Sequence, residues 1–107
     1  MKFTGKIEKV TAVEKGVSGN NHPWQSCQIV AWFVNESGFT ERVLLSCLNA
    51  ACEKAQVLVD KYANSDGSFA GEFEFYFTPT VRSYEDRNGR LRFSQELMLN
   101  HVVEIGR

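Results

Sequence analysis

The sequence predicts a mainly β chain with five strands and a single α-helix. Three observations carry this. MKFTGKIEKV and FAGEFEFYFTP alternate apolar with polar residues at the period of a half-buried strand. WQSCQIVAWFVN has the β-branched and aromatic content that suits a strand. Only residues 51–62 carry apolar side chains at helical spacing.

In chain order, the first strand puts Phe3, Gly5 and Ile7 on one side and Lys2, Thr4 and Lys6 on the other, and continues towards residue 15. GVSGNNHP is a loop by its Gly, Ser, Asn and Pro content. WQSCQIVAWFVN is the second strand, ESG a short turn and FTERVLLSCL the third strand, so the first three form a meander. The helix starts after Asn49 as N-cap, presents Ala51, Ala55, Leu58 and Tyr62 to the core, and ends at ANSDGS. In the fourth strand Phe69, Gly71, Phe73, Phe75 and Phe77 share one face, with Glu72, Glu74 and Tyr76 on the other. After the DRNG turn the last strand runs from about Arg90 to Ile105. The order βββ-α-ββ, with one helix between strands 3 and 4, is that of the OB-fold, a five-stranded Greek-key barrel. A small β-sandwich or an SH3-like barrel also has five short strands, but the single amphipathic helix at this point favours the OB-fold.

At 107 residues the chain is expected to form one domain, residues 1–107. Its composition, 43% hydrophobic and 23% charged, is that of an ordered globular chain. No apolar run approaches a membrane span and the N-terminus lacks a signal-peptide pattern, so a cytoplasmic protein is expected. Cys27, Cys47 and Cys52 are odd in number and lack CxxC spacing, which signals neither a disulfide framework nor a metal site; all three are read as reduced. No cofactor is implied. His22 sits in a loop and His101 in the last strand, with no HExxH, GxSxG or GxxxxGK[ST], so the chain is not read as an enzyme.

The net charge of −1 hides an asymmetry. Residues 1–16 set Lys2, Lys6, Lys9 and Lys15 against Glu8 and Glu14, and residues 80–95 set Arg82, Arg87, Arg90 and Arg92 against Glu85 and Asp86, while the remainder is acidic. Two basic segments on an acidic body can attract phosphates locally while the whole stays soluble.

Asp86-Arg87-Asn88-Gly89 reads as a type I turn closed by a left-handed Gly with a G1 bulge. That register sets Asp86 opposite Arg90, Tyr84 opposite Arg92 and Arg82 opposite Ser94, with Leu91 and Phe93 on the other side in phase with Leu97 and Leu99. A two-residue Asn-Gly turn would slip the pairing by one, so the cluster of Arg82, Tyr84, Arg90 and Arg92 depends on the turn. Rings flanked by guanidinium groups suit single-stranded nucleic acid, because bases stack without sequence preference and arginines bind phosphates. The plainer alternative is solvated cross-strand pairs with Glu85, Asp86 and Glu96. The second strand adds Trp24 and Trp32 at even positions, opposite a core face of Cys27, Ile29, Ala31 and Phe33, and a strand apolar on both sides needs two partners.

FTGKIEKV, the turn before PWQSCQIVAWF, the helix after LLSCLNA, and RNGRLRFSQELMLNHVVEI resemble small bacterial single-stranded DNA-binding OB-fold proteins, including the primosomal single-strand-binding subunit. The resemblance covers nearly the whole chain but contains no catalytic signature. It implies single-stranded DNA binding as a homodimer or higher homo-oligomer, without distinguishing RNA. It would place Trp32, Arg42 and the hairpin bearing Tyr84, Arg87, Arg90 and Arg92 against DNA. The family's housekeeping members continue into an acidic tail, whereas this sequence stops at VVEIGR, so if it binds single-stranded DNA it is expected to do so as an accessory or mobile-element protein, or to recruit partners through its folded surface. The function expected is sequence-tolerant single-stranded DNA binding in replication, repair or recombination, with Lys2, Lys6, Arg42 and the hairpin arginines on phosphates and Trp24, Trp32 and Tyr84 stacking on bases. The competing reading is a protein- or sugar-binding module. Salt separates the two, since about four phosphate contacts predict close to a fifty-fold loss of affinity between 50 and 200 mM.

Overall fold

The computed structural model describes residues 1–106. Among them six strands and one helix follow as β1 (Lys2–Val10), β2 (Glu14–Val17), β3 (Pro23–Val34), β4 (Thr40–Leu48), α1 (Ala50–Tyr62), β5 (Glu72–Glu85) and β6 (Leu91–Gly106). The strand expected to run to residue 15 is divided in two. Thr11 turns away from the ladder: its N–H donates to the Gln28 carbonyl at 2.9 Å and its Oγ1 accepts from the Gln28 N–H at 2.8 Å. This local bonding by a threonine hydroxyl competes with continued strand pairing. Six strands therefore replace the expected five, and the helix follows β4 and precedes β5.

The strand order is β1-β5-β6-β4-β3-β2, and β1 also pairs with β3, so the pairings close a circuit. β1 achieves this by changing partners midway. Lys2 to Gly5 pair with Tyr76 to Phe73, whereas Lys6 to Val10 pair with Trp32 to Ile29. Gly5 stands at the handover, where a Cβ would lie 2.5 Å from the Trp32 carbonyl oxygen, so any larger residue would force the two strands apart. The circuit is narrowest between β4 and β6, which meet in parallel at Ser46 and Met98.

Inside the circuit most of the expected strand faces become the core, but Phe33 and Phe69 are only partly buried and Phe69 precedes β5 instead of belonging to it. Ile29, Ala31, Leu45, Phe73 and Phe75 are fully buried, and Phe3 stacks on Phe75 with centroids 5.0 Å apart. α1 adds Cys52, Ala55, Leu58 and Tyr62. Cys52 is buried where the sequence reading favours Ala51, which is only partly covered. Asn49 precedes the helix as expected, but its side chain does not cap it. With φ at 51° it turns its Oδ1 to the Gln25 N–H (3.1 Å) while its own N–H donates to the Gln25 carbonyl (2.9 Å), anchoring the helix entry to β3. The three cysteines are free and buried. Burial pushes both thiols up, that of Cys52 to about 11.

Beyond Pro79 and Leu97, β5 and β6 leave the core as a two-stranded ribbon. Val81, Leu91 and Phe93 keep the phase of the buried strand face yet are each at least 60% exposed. No helix among the described residues is long and apolar enough to cross a membrane.

Candidate nucleic-acid interface

The hairpin forms in the register expected from its turn. The Asp86 N–H donates to the Arg90 carbonyl at 2.9 Å, and Asp86 Oδ1 accepts from the N–H groups of Asn88 and Arg90, both at 2.9 Å. Gly89 takes a φ of 73°, the left-handed conformation that this turn requires and that side chains resist. Tyr84 consequently lies opposite Arg92 and Arg82 opposite Ser94, with Arg82 and Tyr84 on one ribbon face. Arg87 sits in the turn.

A second row crosses three strands. Lys6 of β1 lies opposite Trp32 of β3, which lies opposite Arg42 of β4. Directly paired residues share a face, so a cation flanks the indole on each side. Lys6 Nζ lies 5.7 Å from the Trp32 ring centroid, within cation–π range. The indole is half-buried while Arg42 is exposed.

Between this row and the ribbon lies an open groove. One part, of about 600 Å3, has Gln28, Ser46, Arg82 and Glu96 in its lining; the adjoining part, of about 410 Å3, shares Gln28, Ser46 and Glu96 and reaches Arg42 and Leu44. Ser46 Oγ donates to Glu96 Oε2 at 3.2 Å, tying the ribbon base to β4. Gln28 and Ser46 are functional candidates that the sequence reading missed. Their even positions, in phase with Trp32 and Arg42, are the signal that would have placed them on this face.

The structure separates two of the expected residues from this row. Trp24 pairs with Gly16 on β2 at the far end of β3, with its ring where a Cβ of residue 16 would stand, and it borders a different pocket with Lys15 and Glu53. Lys2 lies opposite Tyr76 on β5, 5.7 Å from the ring centroid and 3.8 Å from Glu74. Tyr76 donates its hydroxyl hydrogen bond to Glu74, which pushes the phenol pKa up, and its ring centroid is 5.7 Å from that of His101.

Several expected cations are already neutralised. Arg42 grips Glu8 through Nε (3.0 Å) and Nη2 (2.7 Å), Arg82 pairs with Glu96 at 2.8 Å, and Arg92 pairs with Asp86 at 2.8 Å. The Arg92 guanidinium, with the backbone N–H groups of Arg90 and Asn88, holds the Asp86 carboxyl below its ordinary pKa. Lys6, Arg87 and Arg90 form no ion pair among the described residues. Nor does any group of three His, Cys, Asp or Glu side chains there stand ready to hold a metal.

No protein-family model matches the chain, and no curated protein sequence matches it. Solved structures do. The crystal structure of the mitochondrial single-stranded DNA-binding protein Rim1 from S. cerevisiae superposes with a TM-score of 0.54 at 12% identity, covering 99% of this chain and 93% of that one. Its selenomethionine-labelled form gives the same score and coverage at 13% identity. At such identity the likeness speaks to architecture alone, which this chain shares with that protein over nearly its whole length.

Proposed function

We propose that the chain, as one domain, binds single-stranded DNA with little sequence preference along the groove between β3–β4 and the β5–β6 ribbon. The observation that carries this reading is the row Lys6–Trp32–Arg42, which opens into a groove whose other wall bears Arg82, with Tyr84 and Arg92 further along the ribbon. Bases would stack on Trp32 and Tyr84, each contact contributing about 1–3 kcal/mol, while phosphates meet Lys6, Arg87 and Arg90. The fold shared with Rim1 supports the same reading. A role in replication, repair or recombination follows from the ligand, since exposed single strands arise there. Trp24 and Lys2 are outside this path.

The test is a fluorescence titration of a Trp24→Phe variant, in which Trp32 is the remaining indole, with thirty-base oligo-dT at 50 and 200 mM salt. Quenching is expected, and three phosphate contacts predict an affinity loss of roughly twentyfold across that range. Absence both of quenching and of retarded tumbling of a labelled oligonucleotide would reject the reading.

One observation favours a second reading, contact with protein: the reverse ribbon face presents Val81, Leu91 and Phe93 to solvent. Association of copies of the chain through this face would show as a concentration-dependent sedimentation coefficient that Phe93→Ser lowers to the monomer value.

A further inference from the structure

The groove is less basic than its arginines suggest, because two of them carry resident carboxylates. Glu8 and Arg42 are 34 residues apart, on strands that do not pair with each other, so the contact reaches across β3. The pairing of β1 with β3 shifts register between Ile7 and Lys9, leaving Glu8 at a bulge and out of the ladder, where it meets the guanidinium. Glu96 lies opposite Thr80, diagonal to Arg82, and its second oxygen accepts from Ser46. Both arginines remain open to solvent, with side chains 65% and 60% exposed.

Resting on the single-stranded DNA reading, we propose that Glu8 and Glu96 are specificity determinants: a phosphate must displace them from Arg42 and Arg82, and this exchange makes base stacking a condition of tight binding. Duplex DNA attracts proteins mainly through phosphate neutralisation with release of counter-ions. Where a carboxylate already neutralises the arginine, exchanging one anion for another releases little, and duplex gains little. A single strand receives the same small phosphate contribution but adds stacking on Trp32 and Tyr84, which paired and stacked bases cannot provide. Because each phosphate contact releases more counter-ion from duplex than from a single strand, the resident carboxylates penalise duplex more, while the single strand keeps its aromatic contacts.

The variants Glu8→Gln and Glu96→Gln keep side-chain shape and remove the charge. Each is titrated with thirty-base oligo-dT and with a duplex of equal length between 50 and 200 mM salt, alongside melting curves to verify the fold. Exposed pairs of this kind predict about twofold to fivefold tighter binding per substitution at the lower salt. The logarithmic salt slope should steepen by about 0.7 per freed arginine on the single strand and about 0.9 on duplex, so the duplex gains more and selectivity falls. In an Arg42→Gln background, Glu8→Gln should lose its effect. If the wild type binds oligo-dT but the variants leave affinity and slope unchanged, or bind more weakly, the carboxylates are orienting the arginines and the proposal is overturned. If neither wild type nor variants bind at 50 mM, the single-stranded DNA reading fails and takes the proposal with it. Either variant alone is sufficient for the test.

Discussion

The two halves of the β5–β6 pair obey the same alternation and meet opposite environments. In the inner half Phe73 and Phe75 are fully buried and Phe77 is nearly so, packed among the rings of Phe3, Tyr62 and one another. In the outer half the same strand phase presents Val81 and Phe93 to water, at 64% and 66% exposure, and the other phase presents Arg82, Tyr84 and Arg92. Alternation thus specifies which residues share a face, while burial depends on whether another layer is there to receive that face. The inner half is packed into the core, and the outer half stands in solvent.

The sharpest way to break this division is to substitute one aromatic in each half. Phe75→Ala should lower global stability by about 3–5 kcal/mol, through lost burial and the cavity left beside Phe3, as measured by urea unfolding. A loss below about 1 kcal/mol would mean that the inner half is not the structural one. Tyr84→Ala should instead leave unfolding within about 0.5 kcal/mol of wild type while weakening oligo-dT binding by about 1–3 kcal/mol. Equal effects on stability and affinity would erase the distinction.

A finer test concerns the turn. Gly89→Val forces a β-branched side chain into a left-handed conformation at a cost of about 1–2 kcal/mol. Because the ribbon has no other layer above it, the cost should fall on local opening: amide exchange should accelerate from residue 80 to 95 and stay unchanged in β3 and β4. Uniform acceleration would show that ribbon and core unfold together.

The smallest effect contrasts two depressed carboxyl groups. Asp86 serves the ribbon turn, whereas Glu104 joins β6 to α1. Lys61 (2.7 Å), the Tyr62 hydroxyl (2.8 Å) and Lys54 (3.6 Å) lower the Glu104 pKa from 4.5 to about 2. A carboxyl whose folded pKa is depressed stabilises the fold above its unfolded value and loses that contribution as pH falls through the folded one. Wild type should therefore exceed Glu104→Gln in stability above about pH 5, with the two converging as pH approaches about 2. The side chain keeps a quarter of its surface exposed, so screening keeps the difference small. A constant gap down to pH 2 would assign the effect to packing instead of charge.

The hairpin register was legible because everything that sets it is close in sequence. Asp86 and Gly89 close their own turn, and a two-stranded ribbon then transmits that register to Tyr84 and Arg92 without further help. The core faces of β1, β3 and β5 were legible for a similar reason, since period-2 alternation needs no knowledge of the partner strand. The split at Thr11 was not, because it depends on bonding to Gln28, seventeen residues away. Trp24 and Trp32 share parity, yet one rests over β2 and the other is flanked by Lys6 and Arg42, a difference made by which strands lie alongside each end of β3.

Residue types and their spacing thus determined by themselves a mainly β chain, its single helix, the faces of its strands and the chemistry of its hairpin, all of which arise from short-range sterics and alternation. Tertiary structure alone decided that β1 changes partners at Gly5, that a bulge brings Glu8 to Arg42, and that β4 and the ribbon enclose a groove. Those features depend on how a twisted sheet closes on itself, and contacts between strands distant in sequence are chosen by that closure and by the core it buries.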